Sequence, residues 1–371
     1  MKKNNIVIIL GFVSVALGAL VSCVTKTKTI KDQLPAKEIF LDPLHIGIKP
    51  DKELGLIDFD AATLFKEGVR LQQAGQSDRA FLFFERIITE FNSSRYLSAA
   101  AFNAGNSLED LERVSEAVER YRIITRKLSE SKDWLDAAFR ESMCLARLEK
   151  HAAAVELLKR LLDRKDLSVS DRIDALVLLG EALKAEGELI KAESKLRAAL
   201  RLYRAREREE FLDPAPAARA EYRLSEMAEK RFIDAPLRLP EEQMRLDLEA
   251  KATRLLEAQA GFLRTIRYGN PEWASAAGYQ VGTLYLHLHQ AMQQAPVPDD
   301  LDPQEIEVYK DLLKERTAVL LRKALKVFEM TLELAERTMS DNHWTKAARE
   351  EMSRVESRVL SLYETLPNEE P

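Results

Sequence analysis

The side chains best suited to chemistry are few and scattered. The chain of 371 residues holds five histidines and two cysteines. The histidines are His45, His151, His287, His289 and His343. His287 and His289 stand two apart in a stretch with helical spacing. Successive helical positions turn by about 100°, so these imidazoles point about 200° apart and do not form the i, i+4 pair that holds a metal. Asp299, Asp300 and Asp302 lack the glycine and closing glutamate of a calcium loop. The sequence has no His-Glu-x-x-His, no Gly-Lys-Ser/Thr, no Gly-x-Ser-x-Gly and no Cys-x-x-Cys. Cys144 lies between Met143 and Leu145 in a helical pattern and reads as a packed thiol. Cys23 closes an apolar run, so the two cysteines make no disulfide framework. No enzyme, no cofactor and no metal is expected, and function must be sought in surfaces.

The elements that shape those surfaces repeat. Leu64, Gly68 and Leu71 mark a first helix, Gly75 breaks it, and Ala80, Phe84 and Ile87 mark a second. The same chemistry returns around Gly105, Ser142 and Gly180, with partners such as Ala117, Tyr121 and Ile124, then Ala154 and Leu158, then Ala192 and Leu196. The small anchor therefore recurs every 37 to 38 residues, the mark of stacked helical hairpins. Two longer units follow. One has helices at about 217–231 and 241–268, with about twenty extra residues and Pro236 and Pro240 between them. The other starts at Pro271 and carries Gly278, Gly282, Ala324 and Phe328, with a Pro- and Asp-rich loop at 295–303. Asp341 and Asn342 open a last helix to about Tyr363, a lid for the stack. The expected fold is all-α: six helical-hairpin repeats forming a superhelix, closed by a C-terminal capping helix. Four regular repeats fill 58–210, and two insertion-bearing repeats and the cap fill 211–371. Composition agrees, with 32% charged and 46% apolar residues and only 13 Gly and 13 Pro. The net charge of −5 is mild and of mixed sign, and no basic stripe calls for nucleic acid.

An apolar residue (Leu or Ala) four before each anchor, a leucine three after it, and then Ala-x3-Phe/Tyr/Leu resemble the tetratricopeptide repeat (TPR), whose unit is about 34 residues. The usual first-helix Trp is replaced by Leu64, Ala101, Ala138 and Leu176, and the closing Pro is missing. The resemblance implies that the position three before each anchor faces the inner, concave surface. Those residues are Phe65, Phe102, Phe139, Val177, Tyr222 and Tyr279. Val69, Asn103, Asn106, Arg140, Met143 and Glu181 share that face. Aromatic rings with amides and arginine suit an extended peptide or a helix, because rings supply contact area at little entropic cost. The alternative use of the same rings is packing against the second helices of neighbouring repeats.

Residues 1–22 read as a secretory signal: Lys2 and Lys3 precede an apolar run from Ile6 to Leu20, too short for a comfortable membrane span. Leu20-Val21-Ser22-Cys23 resembles the bacterial lipobox, which implies lipidation of Cys23 and a membrane-anchored mature chain. Val24 after the cysteine implies, by the same resemblance, the periplasmic face of a Gram-negative outer membrane. Residues 23–57, with Pro35, Pro43 and Pro50, read as a tether spanning about 30–35 Å. Trp273–Ala277 and Ala295–Pro298 are similar to segments in the larger repeat lipoproteins of gliding and predatory bacteria. These resemblances imply a lipid-anchored scaffold that binds envelope proteins or extended peptides and assembles a motility, pilus or secretion machine. Two alternatives are a chaperone-like binder of unfolded barrel precursors in a β-barrel assembly complex and a cell-wall-linked accessory module.

Overall fold

A computed structural model describes residues 60–365, apart from 209, 210, 299 and 300. Cys23, the signal and the tether lie outside the described residues. Among those described, the chain forms thirteen α-helices and no strand. Six hairpins follow one another: α1 (Ala61–Gln73) with α2 (Ser77–Glu90), α3 (Leu97–Asp110) with α4 (Val114–Lys127), and α5 (Trp134–Arg147) with α6 (His151–Leu162). Then come α7 (Val169–Ala185) with α8 (Leu189–Arg206), α9 (Ala215–Ile233) with α10 (Glu241–Arg267), and α11 (Pro271–Gln293) with α12 (Pro303–Arg337). A last helix, α13 (His343–Thr365), packs on α12 and α11. Each helix packs on the next along the chain, and first helices also touch the first helix one repeat on. The molecule is a TPR-type helical-repeat solenoid.

The anchors explain how tightly the hairpins close. A Cβ placed on Gly68 would lie 2.7 Å from the Phe84 ring, one on Gly105 would lie 2.5 Å from Tyr121, and one on Gly180 would lie 2.7 Å from Leu196. Only a residue without a side chain admits the ring or isobutyl group opposite. In the fifth repeat the pairing is inverted. Ser225 stands at the anchor, and the missing side chain is on the second helix, at Gly261. The turn between paired helices needs one residue in the left-handed region. Gly75 (φ 72°) and Gly187 (φ 80°) fill it in the first and fourth repeats, but Glu112 and Glu149, both at φ 57°, fill it in the second and third.

The long repeats differ from expectation in one respect. The extra residues of the fifth repeat do not form an inserted segment. They lengthen its helices, to 19 and 27 residues, and leave a short connection at 234–240. Lys251 holds that connection. It is 3% exposed, and its ammonium donates to the carbonyls of Phe232 (3.0 Å), Ile233 (3.2 Å) and Ala235 (2.7 Å). A cation therefore caps the negative end of α9. The sixth repeat also invests its extra length in helix, because α12 runs unbroken for 35 residues. Asp302 starts it by accepting the N–H groups of Gln304 and Glu305, while Glu305 accepts that of Asp302. Asn342 starts α13 by accepting from Trp344 (2.9 Å) and Thr345 (3.1 Å).

Candidate functional site

The expected column of inner-face aromatics is mostly built into the scaffold. Phe65 packs its ring on Phe84 at 5.8 Å and on Tyr96 of the next repeat at 5.2 Å. Phe102 lies 5.8 Å from Tyr121. Phe139 and Val69 are half-buried against the same core, and Val177 is buried. Tyr222 is a correction. It is fully buried among Phe262 (5.5 Å), Trp273 (5.2 Å) and Trp344 (6.0 Å), and its hydroxyl accepts from Gln280. No partner reaches it, because two tryptophans from later helices cover it. Tyr279 is half-buried on Phe328 and Trp344. The amides are also engaged. Asn103 donates to the carbonyl of Ala99 in its own helix (2.8 Å), and Asn106 accepts from the Tyr121 hydroxyl (2.7 Å).

What faces outward along the first helices is a ladder of charges joining neighbouring repeats. Arg140 and Arg147 on α5 reach back to Glu109 on α3 at 3.0 and 3.6 Å. Tyr121 holds that carboxylate from below, with its hydroxyl 2.7 Å away. Burial, and then Glu109, raise the Tyr121 hydroxyl well above its ordinary range, so it stays a donor. Further along, Arg219 on α9 grips Glu181 on α7 with two hydrogen bonds, of 2.7 and 2.5 Å. Arg223 adds a third, at 2.7 Å, and also binds Glu226. Lys184 on α7 closes the group on Glu226 at 2.7 Å. Burial opposes the charge of Arg223, but Glu181 and Glu226 outweigh it and hold its pKa above the usual value. Arg219 and Arg223 also stand over the Trp273 ring, at 6.0 and 5.6 Å.

One junction lacks such a bridge. Among the described residues no hydrogen bond or ion pair crosses from α5 to α7, and there a cleft of about 510 Å³ opens. Its floor is apolar: Ala146, Ala154, Leu158, Leu178 and Ala182. Met143, 42% exposed, stands at the mouth. Its rim is charged, with Arg147, Lys184, Arg219 and Arg223 against Glu181. An apolar bed with charged, hydrogen-bonding walls can seat one or two side chains of a bound segment and hold the backbone beside them. Of the residues expected to form a partner surface, Met143 and Glu181 line this cleft and Arg140 stands on the ladder beside it. The structure does not gather Phe65, Phe102, Tyr222 and Tyr279 into it.

The residues that sequence reasoning missed are Arg219, Arg223 and Lys184. A signal for them exists: Arg219 stands 38 residues after Glu181, one repeat on with opposite charge. His287 and His289 line another cleft, about 390 Å³, between α11 and α13. Burial lowers both their pKa values, with Lys251 near the first and Arg358 near the second. No cluster able to hold a metal occurs among the described residues. Cys144 is buried, and burial, followed by Glu109, pushes its thiol up to about 12, so it stays protonated and inert.

No protein-family model matches the chain, and no curated protein matches it. Several solved structures do. A MamA structure from Desulfovibrio magneticus is 16% identical over 54% of this chain and 95% of its own, with a TM-score of 0.36. A TPR-repeat protein from Bacteroides fragilis is 13% identical over 71% of this chain and 98% of its own, with a TM-score of 0.30. The Rap conjugation gene regulator of plasmid pLS20, in complex with its Phr peptide, is 11% identical over 84% and 98%, with a TM-score of 0.36. The assignment of this chain as a TPR-type solenoid rests on its own six hairpins and the crossing contacts at their anchors.

Proposed function

We propose that the protein is a non-enzymatic scaffold that binds a segment of a partner protein in the cleft between α5 and α7. The observation that carries this reading is the unbridged junction: an apolar floor under a charged rim, at a place where the repeats on both sides are tied by ion pairs. Residues 1–23 support a finer reading. Lys2 and Lys3, the apolar run and the ending Leu20-Val21-Ser22-Cys23 suit a chain lipidated at Cys23 and held at the periplasmic face of an outer membrane. Partners would then be envelope proteins, and the task would be to hold together an outer-membrane machine for motility, pili or secretion.

The test is a photo-crosslinking side chain placed at Met143 in the full-length chain within its own envelope, with the same group at Ile190, exposed on α8 and outside the cleft lining, as control. One or two protein adducts at 143, absent at 190 and abolished by Ala146→Glu on the lining of the cleft, are expected. A broad set of unfolded barrel precursors would replace the scaffold reading with the chaperone-like one. Equal adducts at 143 and 190 would overturn both. Fractionation of Cys23→Ser tests the anchor separately: the body should leave the outer-membrane fraction, and unchanged flotation would sink lipidation.

A further inference from the structure

The cleft between α11 and the capping helix α13 is polar where the one between α5 and α7 is apolar. α11 and α13 run the same way. Trp344, near the start of α13, meets Tyr279, and Arg358, near its end, meets His289. Between these contacts the cleft encloses about 390 Å³, and its polar lining includes His289, Gln290 and Gln294 from α11 and Glu351 and Arg358 from α13. Some of the lining is already engaged. Gln293 donates to Thr317 on α12 (2.8 Å), Thr283 donates to the carbonyl of Gln280 (2.9 Å), and Glu351 is paired with Arg354 on its own helix.

His289 and Arg358 are not engaged in that way. His289 is 7% exposed, so the fold holds its imidazole in place. Its Nδ1 lies 3.5 Å from a guanidinium nitrogen of Arg358. A guanidinium has only protons to offer, so Nδ1 accepts and the ring proton sits on Nε2. Burial, and then Arg358, lower the pKa of the imidazole, which keeps the ring neutral in this tautomer. Among the described residues Nε2 has no partner, and Arg358 makes no ion pair. A buried imidazole N–H and the remaining N–H groups of a guanidinium thus stand side by side without an acceptor.

Charge selects the ligand. Arg354 matches the charge of Glu351, and Arg358 is the one cation on the lining, so the cleft carries a single unmatched positive charge. A carboxylate brings one negative charge and two coplanar oxygens, which fit the fork of a guanidinium. Its second lone pairs can take the Nε2 proton of His289. A phosphate dianion would leave one charge unmatched. Gln290 and Gln294, whose side chains make no hydrogen bond among the described residues, can hold a polar body beside the carboxylate. The volume is that of a small-molecule site. We infer that the cleft between α11 and α13 binds a small molecule bearing one carboxylate, held by Arg358 and by the Nε2 proton of His289. This inference is independent of the cleft between α5 and α7.

The probe is N-acetylglycine, which joins one carboxylate to an amide. It is titrated into the full-length protein and read by calorimetry and by the His289 ring signals in NMR. N-acetylglycinamide is the uncharged control. Saturable binding of the acid, with a shift of the His289 signals that the amide does not cause, is expected. Arg358→Gln, at an exposed position, should weaken it by about tenfold or more. Lys346→Gln, which removes an exposed cation of α13 outside the cleft lining, should leave it unchanged, as should Ala146→Glu in the other cleft. No binding of the acid, equal binding of acid and amide, tighter binding of inorganic phosphate, or equal losses in Arg358→Gln and Lys346→Gln would overturn the inference. So would hexaglycine binding far more tightly than N-acetylglycine, because the ligand would then be the end of a polypeptide and not a small molecule.

Discussion

Glu229 on α9 gives the sharpest test of the electrostatics beside the candidate cleft. Its side chain is buried, and burial together with neighbouring Glu226 pushes its carboxyl from an ordinary 4.5 up to about 7, with Lys184 pulling only partly the other way. The folded state therefore holds a proton that the unfolded chain releases. Below pH 4.5 both states are protonated and the group costs nothing. Between 4.5 and about 7 the native state binds more protons than the unfolded one, so stability falls as pH rises. Above that window the loss is complete and constant. At about 1.4 kcal/mol per pH unit, the gap is worth about 3 kcal/mol at most. Glu229→Gln keeps the shape and removes the charge. It should be neutral at pH 4 and stabilising by up to about 3 kcal/mol at pH 8, read by urea melts of both proteins at several pH values. Asp174, also raised by burial, to about 6, adds a slope of the same sign, but it cancels in the difference between the two proteins. A difference that does not grow between pH 4 and 8 would refute the reasoning.

Gly105→Ala should destabilise by about 1–3 kcal/mol, because its new Cβ would lie 2.5 Å from the Tyr121 ring, and an unchanged thermal melt would contradict the close crossing. Glu149→Gly should do the reverse. Glu149 sits at φ 57°, where a side chain costs about 1–2 kcal/mol and glycine's own entropy cost offsets part of that, so denaturant melts should show a gain of about 0.5–1 kcal/mol. Lys251→Met should cost about 2–3 kcal/mol by leaving the carbonyls of Phe232, Ile233 and Ala235 without their donor. Its exchange signature should be faster amide exchange at the end of α9 rather than throughout.

The fold was legible where local spacing and tertiary contact are the same fact. The anchors at 68, 105 and 180 each sit under a large residue sixteen positions later, Phe84, Tyr121 and Leu196, and a hairpin cannot close at that distance without showing it in the sequence. The site was less legible because its determinants lie between repeats. The position three before the anchor does not say which face is covered. Phe65 and Phe102 keep an open edge, while Tyr222 is sealed by Trp273 and by Trp344, 122 residues downstream. The prolines at 236 and 240 do mark the break between the two expected helices, but the extra length of this repeat lies inside α9 and α10, and only 234–240 connects them. Charge carried information that apolar periodicity did not. Glu181 and Arg219, or Glu226 and Lys184, make sense only once adjacent first helices are laid side by side.

That ladder also predicts how the candidate cleft should behave when filled. A solenoid is close to a one-dimensional stack, so its stability is the sum of unit and neighbour terms, and a weak junction stays weak locally. α3 and α5 are tied through Glu109, α7 and α9 through Glu181 and Glu226, and the α5–α7 junction relies on packing without ion pairs among the described residues, directly and through α6. A segment lying between Met143 on α5 and Glu181 on α7 supplies the cross-link that the chain lacks. Binding only to the folded state, at a hundred times its Kd, it would add about 2.7 kcal/mol. The gain should be concentrated at α5–α7 rather than spread along the stack. Hydrogen exchange with and without a bound partner segment measures this directly. Protection gained at 134–185 but not in α1 or α13 is expected. A uniform gain, or one confined to the last two repeats, would mean that the junction is not where the ligand sits.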